Sequence, residues 1–331
     1  MDRISLAYGS GGKQTAELVK KIFLKNLYSE ELSKLEDSAI IKNKNLKVAF
    51  TTDSYVVDPI FFPGGDIGRL CVCGTVNDIS VSGAKIEAIS LGFIIEEGLD
   101  ISVLLKIVNS IKKTAKEAGV RIVTGDTKVV EKGKADKIFI NTSGIGFFDS
   151  ELNFSYSNVK KDDIIIINGD VGSHGIAVLN SRNKLGISGD IKSDVAPLNG
   201  LIDLIKRIPG IKCIKDVTRG GLITALNEIS ESCGFGAEIE EEKVPVADSV
   251  KSACEMLGID PFYAANEGKI VVIASKKSAE KILVEMRKHK YGKKSAIIGR
   301  FNEDKHVSVK TLIGTVRIAQ SMSGEQMPRI C

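Results

Sequence analysis

The chain has 331 residues, 43% of them apolar and 27% charged, the balance of a globular protein with room for two domains of roughly 150 residues each. Its 46 basic and 42 acidic residues leave a net charge of +4, so no large single-sign field points to nucleic acid or to a membrane surface. The longest apolar runs, such as AISLGFII, fall far short of the roughly 20 residues of a membrane span, and the start MDRISLAYGS has no apolar signal core, so a cytoplasmic protein is expected.

In chain order, the first feature is YGSGGKQT at 8–15, a glycine cluster ahead of a helix expected from Thr15 to Leu27. Such a cluster presents backbone N–H groups beside the positive end of a helix, which suits phosphate. It is not a Walker loop, because Ala7 stands where the first glycine is needed and Gln14 where Ser or Thr is needed. A phosphate loop and an N-terminal arm both fit it. LKVAFTT at 46–52 reads as a strand ending in Asp53, and the PGG at 63–65 turns the chain into a helix from about Asp66 to Ser82, with Asp66 as an acidic N-cap. KIEAISLGFIIEE is a buried strand. A helix over 100–118 stops at Gly119, VRIVTGD is a strand delivering Asp126 at its end, and KIFINTSGIGFF is a further strand.

The character resets near residue 150. DIIIINGD is a buried strand, helices are expected at about 174–182, 197–207, 220–233, 246–257 and 276–289, and strands near 236–240, 269–274, 294–300 and 306–317. Helices and strands mix in both halves without a strict βαβ rhythm. The fold class that follows is α+β in two domains, 1–155 and 156–318, with a tail over 319–331.

Three aspartates stand apart from ordinary helix caps: Asp53 in TTDS, Asp78 in VNDIS and Asp126 in TGDTK are flanked by small polar residues within apolar surroundings. Carboxylates converging at one end of a sheet would bind Mg²⁺ together with nucleotide phosphates, and Lys128, two residues beyond Asp126, would face the same phosphates or a reacting group. In the second half, KDVTRGG (215–221) places Asp216, Arg219 and two glycines before a helix. NEGK (266–269) sets Glu267 ahead of a strand, where only a pocket location would make it a base. Five of the six cysteines read as core residues or scattered thiols, with no paired C-x-x-C and three histidines, so no structural zinc site is expected. The sixth, Cys331, ends the chain after AQSMSGEQMPRI, either by chance or as a nucleophile on a flexible arm.

Taken together, GSGG, TTDS, FFPGGDIGRLCVCGTVNDISVSGAK, TGDTKVV, KDVTRGGL, NEGK and the terminal PRIC, in that order, resemble the HypE family of hydrogenase-maturation proteins, within the superfamily of aminoimidazole ribonucleotide synthetase (PurM-like) and selenophosphate synthetase. The resemblance covers essentially the whole chain. It implies ATP-dependent dehydration of a carbamoyl group carried on the terminal cysteine to a thiocyanate, a source of the cyanide ligands of [NiFe]-hydrogenase. It also implies a homodimer paired through the N-terminal domains, HypF as carbamoyltransferase and a HypC–HypD complex as cyanide acceptor. The residues it marks are Cys331, Lys128 and Glu267 for catalysis; Gly9, Ser10, Gly11, Gly12, Asn77 and Asp126 for ATP; Asp53, Asp78 and Asp126 for Mg²⁺; and, beyond these, Asp216 and Arg329. Many members carry histidine before GSGG, where this chain has Tyr8. The alternatives are a sibling synthetase of the superfamily, disfavoured by the absence of a cysteine in LAYGSGGK, and a non-catalytic nucleotide-gated carrier.

Overall fold

The computed structural model describes residues 4–9, 11–43, 46–148, 152–183, 185–187 and 189–322. An N-terminal segment carries α1 (Lys13–Leu18), which runs on as a π-helical stretch Val19–Leu24, and the short α2 (Glu30–Ser33). The first domain then follows as β1 (Ala39–Asn43), β2 (Leu46–Tyr55), β3 (Phe61–Phe62), β4 (Gly65–Asp66), α3 (Ile67–Val81), β5 (Lys85–Glu96), α4 (Ile101–Ala118), β6 (Arg121–Val130) and β7 (Ile138–Phe147). Its sheet has the order β1-β2-β7-β5-β6, antiparallel except for the β5–β6 pair.

α3 starts where expected, because the Asp66 carboxylate accepts the free N–H groups of Gly68 at 2.8 Å and Arg69 at 3.0 Å. It is apolar nearly all round, with Leu70, Cys71, Val72, Cys73, Val76 and Ile79 fully buried. A helix of that kind needs cover on every side. The first sheet covers one side through Tyr55, Ile89, Ile138 and Ile140, and α4 covers another through Ile107 and Ile111.

The second domain consists of β8 (Ile164–Ile167), α5 (Ser173–Asn183), α6 (Asn199–Ile205), β9 (Ile211–Asp216), α7 (Gly221–Cys233), β10 (Gly236–Glu240), α8 (Asp248–Leu257), β11 (Ile270–Ala274), α9 (Lys276–Lys288), β12 (Ala296–Asn302), β13 (Val307–Lys310) and β14 (Val316–Ile318). Its sheet runs β14-β13-β10-β12-β8-β11-β9. β8 and β11 are central and sandwiched between two cores, which explains their unbroken apolar sequences IIII and IVVIA. The core of the first domain continues into α5 and α8 through Ile176, Val178, Val250 and Ala253, so the domains share apolar contact.

Three local expectations differ. The strand expected to end at Asp126 continues through Thr127, Lys128 and Val129 to Val130, with the β-branched Thr127, Val129 and Val130 keeping the chain extended. β1 and β9 were not expected, since AIIKN and IKCIKD are short and half polar. The last expected strand is a hairpin, β13 and β14, closed by the Gly314 N–H donating to Thr311 O at 2.9 Å.

Candidate active site

Four carboxylates from both domains gather where α3 faces the ends of β9 and β11. Asp53 lies on β2, Asp78 near the end of α3, Asp216 at the end of β9 and Glu267 in the loop before β11. Thr51 donates to the Asp78 carboxylate at 2.9 Å. Asp216 and Glu267 are nearly inaccessible, at 6% and 4% exposure, so their ionisation is costly. Burial, then the neighbouring charges of Asp216, Asp53 and Asp37, hold Asp78 well above the usual carboxylate range. Burial and the charge of Asp37 push Asp216 up to about 7. Glu267 is raised well above its ordinary value by burial and by Asp53, Asp194 and Asp216. The Arg219 guanidinium opposes the shift at both Asp53 and Glu267, which places one cation among these acids. Among the described residues, no trio of His, Cys, Asp or Glu is preassembled as a metal cage.

The glycine loop closes over the same region from the N-terminal side. Arg219 donates to Gly9 O at 2.9 Å, and a cavity of about 490 Å³ opens beneath, lined by Gly11, Gly12, Asp37, Lys215, Asp216 and Arg219 among others. Its floor is a buried polar set in which Lys215 donates to Asp37 at 2.5 Å and lies 3.1 Å from Glu228, and Tyr156 donates to Asp37 at 2.9 Å. The helical segment after the loop lies on the second domain, with Lys20 paired to Glu231 at 3.1 Å. The root of the C-terminal tail meets the loop as well: Lys13 N donates to Met322 O at 2.8 Å, and Lys13 Nζ donates to Gln320 Oε1 at 2.9 Å.

Asp126 and Lys128 are placed elsewhere. In the pairing register Asp53 faces Thr142, whereas Asp126 pairs with Gly92 and Gly92 with Asn141. Because successive side chains alternate, Asp53 and buried Thr142 point to the helix-covered face, and Asp126, Lys128 and Asn141 to the opposite, exposed face. Three strand spacings, roughly 14 Å, also separate β2 from β6. One copy of the chain therefore does not bring Asp126 to Asp53 and Asp78. Instead Asp126 accepts from Lys128 at 2.6 Å, both side chains being about two-thirds exposed. Asn77 is buried too, its amide accepting from Leu198 N at 2.8 Å and donating to Ala196 O at 3.1 Å. It ties α3 to the second domain rather than lining the cavity. Tyr8 lies in the turn Leu6–Gly9, while Ser10, Arg329 and Cys331 lie outside the described residues. Arg219 carried a sequence signal as part of KDVTRGG. Lys215 opens the same motif but was not singled out in it, and Asp37 and Asp194 carried no signal, since each sits in a segment that reads as ordinary loop.

Residues 35–148 match the family described as AIR synthase related protein, N-terminal domain, and residues 160–311 the corresponding C-terminal domain. The chain is 42% identical to the carbamoyl dehydratase HypE of Escherichia coli K12 over 336 aligned residues that cover all of both proteins. Among solved structures it resembles a chain of a HypE–HypF complex at TM-score 0.89 and 50% identity, covering 92% of this chain and 99% of that one. It likewise resembles HypE in complex with ATP at TM-score 0.83 and 42% identity, covering 99% and 100% of the two chains.

Proposed function

The chain belongs to the HypE family of carbamoyl dehydratases, and from that premise we propose that it dehydrates a carbamoyl group carried on Cys331 to a thiocyanate at the expense of ATP, in the maturation of the hydrogenase metal centre. The observation that carries this reading is the tail root bonded to the glycine loop, with Lys13 N on Met322 O. Cys331 is nine residues beyond Met322, a reach of up to about 30 Å, enough to bring the thiol back to the loop.

A carboxamide oxygen is a poor leaving group. Its attack on the γ-phosphorus of ATP releases ADP and makes that oxygen part of a phosphate ester, while one N–H proton leaves. Loss of the second N–H proton with expulsion of phosphate then forms the C≡N bond. The net change is carbamoyl plus ATP to cyano plus ADP, phosphate and a proton. The Gly9–Gly12 loop would close over the triphosphate and Arg219 would meet its charge, as fixed donors do for phosphoryl transfer. Glu267, whose burial and acidic neighbours raise its proton affinity, would in its ionised form take up a proton from the nitrogen.

Mg²⁺ fits the acids present. Asp53, Asp78 and Asp216 would hold it, because each is driven toward neutrality by burial and its neighbours, and a hard dication relieves that repulsion. When bound, the ion would offset charge on the triphosphate.

Asp126 and Lys128 would act from a second copy of the chain. Among the described residues, no helix packs on the outer face of the first sheet, where Ile41, Phe50, Ile94, Ile145 and Phe147 stand exposed on the same face as Asp126 and Lys128. Uncovered apolar sheet and a long edge strand call for a partner, and a two-fold homodimer supplies one. HypF would load the carbamoyl group and a HypC–HypD complex would receive the cyano group, in keeping with the HypE–HypF complex of the relative. No described helix is long and apolar enough to cross a membrane; a cytoplasmic setting suits these partners.

The test is intact-mass spectrometry of the protein treated with HypF, carbamoyl phosphate and ATP. The expected result is a carbamoyl adduct that loses one water in an ATP-dependent step, and no adduct on Cys331→Ala. Full loading of that variant would overturn the assignment of Cys331.

A further inference from the structure

Between α3 and the loop that bears Glu267 runs an extended strap, residues 193–198, that belongs to no helix or strand. Each end of it is fixed to the first domain. Ser193 N donates to Pro63 O at 2.8 Å, Arg69 Nε donates to Val195 O at 2.9 Å, and the Asn77 amide holds Ala196 and Leu198. Asn77 immediately precedes Asp78, so the strap is registered against the helix that carries one of the clustered acids.

The other side of the strap grips the Glu267 loop through a single buried side chain. Asp194 Oδ1 accepts the N–H of Glu267 at 3.1 Å, and its Oδ2 accepts the N–H of Gly268 at 3.2 Å and the ammonium of Lys269 at 2.8 Å. Ala196 N completes the grip by donating to Glu267 O at 3.3 Å. The approach is so close that a Cβ on residue 268 would stand 1.9 Å from Asp194 O, which only glycine avoids. Glu267 thus has its own N–H and C=O, and the N–H after it, committed to the strap. Its carboxylate is left as the free end of a clamped backbone.

We propose that Asp194 is the positioning residue for Glu267: through its two carboxylate oxygens it fixes the loop so that the Glu267 side chain meets the carbamoyl nitrogen in register with Asp78. The inference rests on the reading of Glu267 as the proton acceptor. It assigns to Asp194 no contact with substrate. The two functions of the carboxylate, accepting two backbone N–H groups and pairing with Lys269, separate by mutation. Asp194→Asn keeps the shape but offers one acceptor oxygen in place of two, so one N–H is abandoned. Lys269→Gln removes the ion pair and leaves both acceptors in place.

The experiment uses the full-length protein, carbamoylated on its tail by HypF, and follows water loss by intact mass in a single turnover, with ATP affinity measured by calorimetry. Asp194→Asn is expected to slow water loss by about tenfold or more while ATP affinity stays within about twofold, because a loop displaced by a fraction of an ångström costs rate rather than binding. Lys269→Gln is expected to stay within about threefold of the parent rate, since both Asp194 oxygens still accept from the loop backbone and the glutamine amide can still donate to them. Equal slowing by both variants would mean that the pair serves only the fold, and a normal rate for Asp194→Asn would overturn the proposal outright. If the uncompensated lysine prevents Asp194→Asn from folding, the neutral double variant Asp194→Asn/Lys269→Gln takes its place; a slow rate supports the proposal and a normal one overturns it. Glu267→Gln distinguishes the two levels. Unimpaired water loss there removes the underlying role of Glu267, whereas an inactive Glu267→Gln beside a normal Asp194→Asn removes only the role of Asp194.

Discussion

Gly12 illustrates how a single residue joins the loop to the tail. Its backbone is ordinary, with φ −96° and ψ −157°, so an alanine there meets no intrinsic strain. Its surroundings are not ordinary, because a Cβ would stand 2.3 Å from Met322 O, the atom that accepts from Lys13 N. Because Gly12 is buried and its added methyl meets backbone, Gly12→Ala is expected to lower thermal stability by about 1–3 kcal/mol, the usual cost of overpacking. The tail root would be displaced, and ATP-dependent water loss from the carbamoylated chain would fall by about tenfold, the scale of a misplaced reactant. A normal rate in a normally folded variant would show that the tail works without this contact. The same scale shows what the sequence could and could not convey. Asp53, Asp78 and Asp126 look alike as letters, each an acid among small polar residues. Only the strand register distinguishes them, placing Asp126 on the opposite face of the sheet from Asp53. Local spacing carries no information about a face when the boundaries of the strand itself are misjudged, as they were at Asp126.

Among the elements, α4 has a role beyond covering the sheet. Its last turn presents Glu117 to the second domain, where it accepts from Lys290 at 2.8 Å and from the Tyr291 hydroxyl, while Arg69 of α3 donates to it at 2.8 Å. Asn199, at the start of α6, donates to Ala118 O at 2.7 Å beside it. Burial alone would raise Glu117, but the bonds from Arg69, Lys290 and Tyr291 outweigh it and bring the carboxyl down to about 2. An acid whose folded value lies below its unfolded value of 4.5 stabilises the fold above pH 4.5, and that contribution is lost as pH falls from there toward 2. Thermal melts of the parent and Glu117→Gln should thus differ at pH 7, with the parent more stable, and converge as the pH approaches 2. A difference independent of pH would mean that Glu117 contributes by shape alone. None of this was visible in ISVLLKIVNSIKKTAKEAG, which gave the helix and its stop at Gly119 because both are local properties. Likewise the Asp66 cap and the continuous apolar runs of β8 and β11 are written in neighbouring residues. The clasp, like the strap at 193–198, joins residues from 48 to 174 positions apart and leaves no periodic trace.

At the level of the whole molecule, the exposed half of the candidate site poses the sharpest question. Glu267 is buried between the domains, and Lys128 stands about two-thirds exposed on an edge strand, on the far face of the first sheet from Asp53. If both serve one reaction, they come from different copies, because within one copy Lys128 lies on the opposite sheet face and three strands away from Asp53. A two-fold dimer built on the outer sheet face would contain two composite sites, each drawing Glu267 from one subunit and Lys128 from the other. Complementation follows from this arrangement. Lys128→Ala and Glu267→Ala should each dehydrate poorly as homodimers. When the two are mixed and allowed to exchange subunits, half of the dimers are hybrid. In a hybrid both lesions fall in one site and the other site is intact, so activity should recover to about a quarter of the parent value per subunit. Sites formed within single copies cannot recover in this way, since every site in the mixture retains one lesion. Single-turnover water loss, measured by intact mass before and after exchange, decides between them. Recovery would also show that the exposed apolar face over Phe50, Ile94, Ile145 and Phe147 exists to bring two reaction centres into being, and activity that stays at the level of the separate variants would return Lys128 to an ordinary surface pair with Asp126.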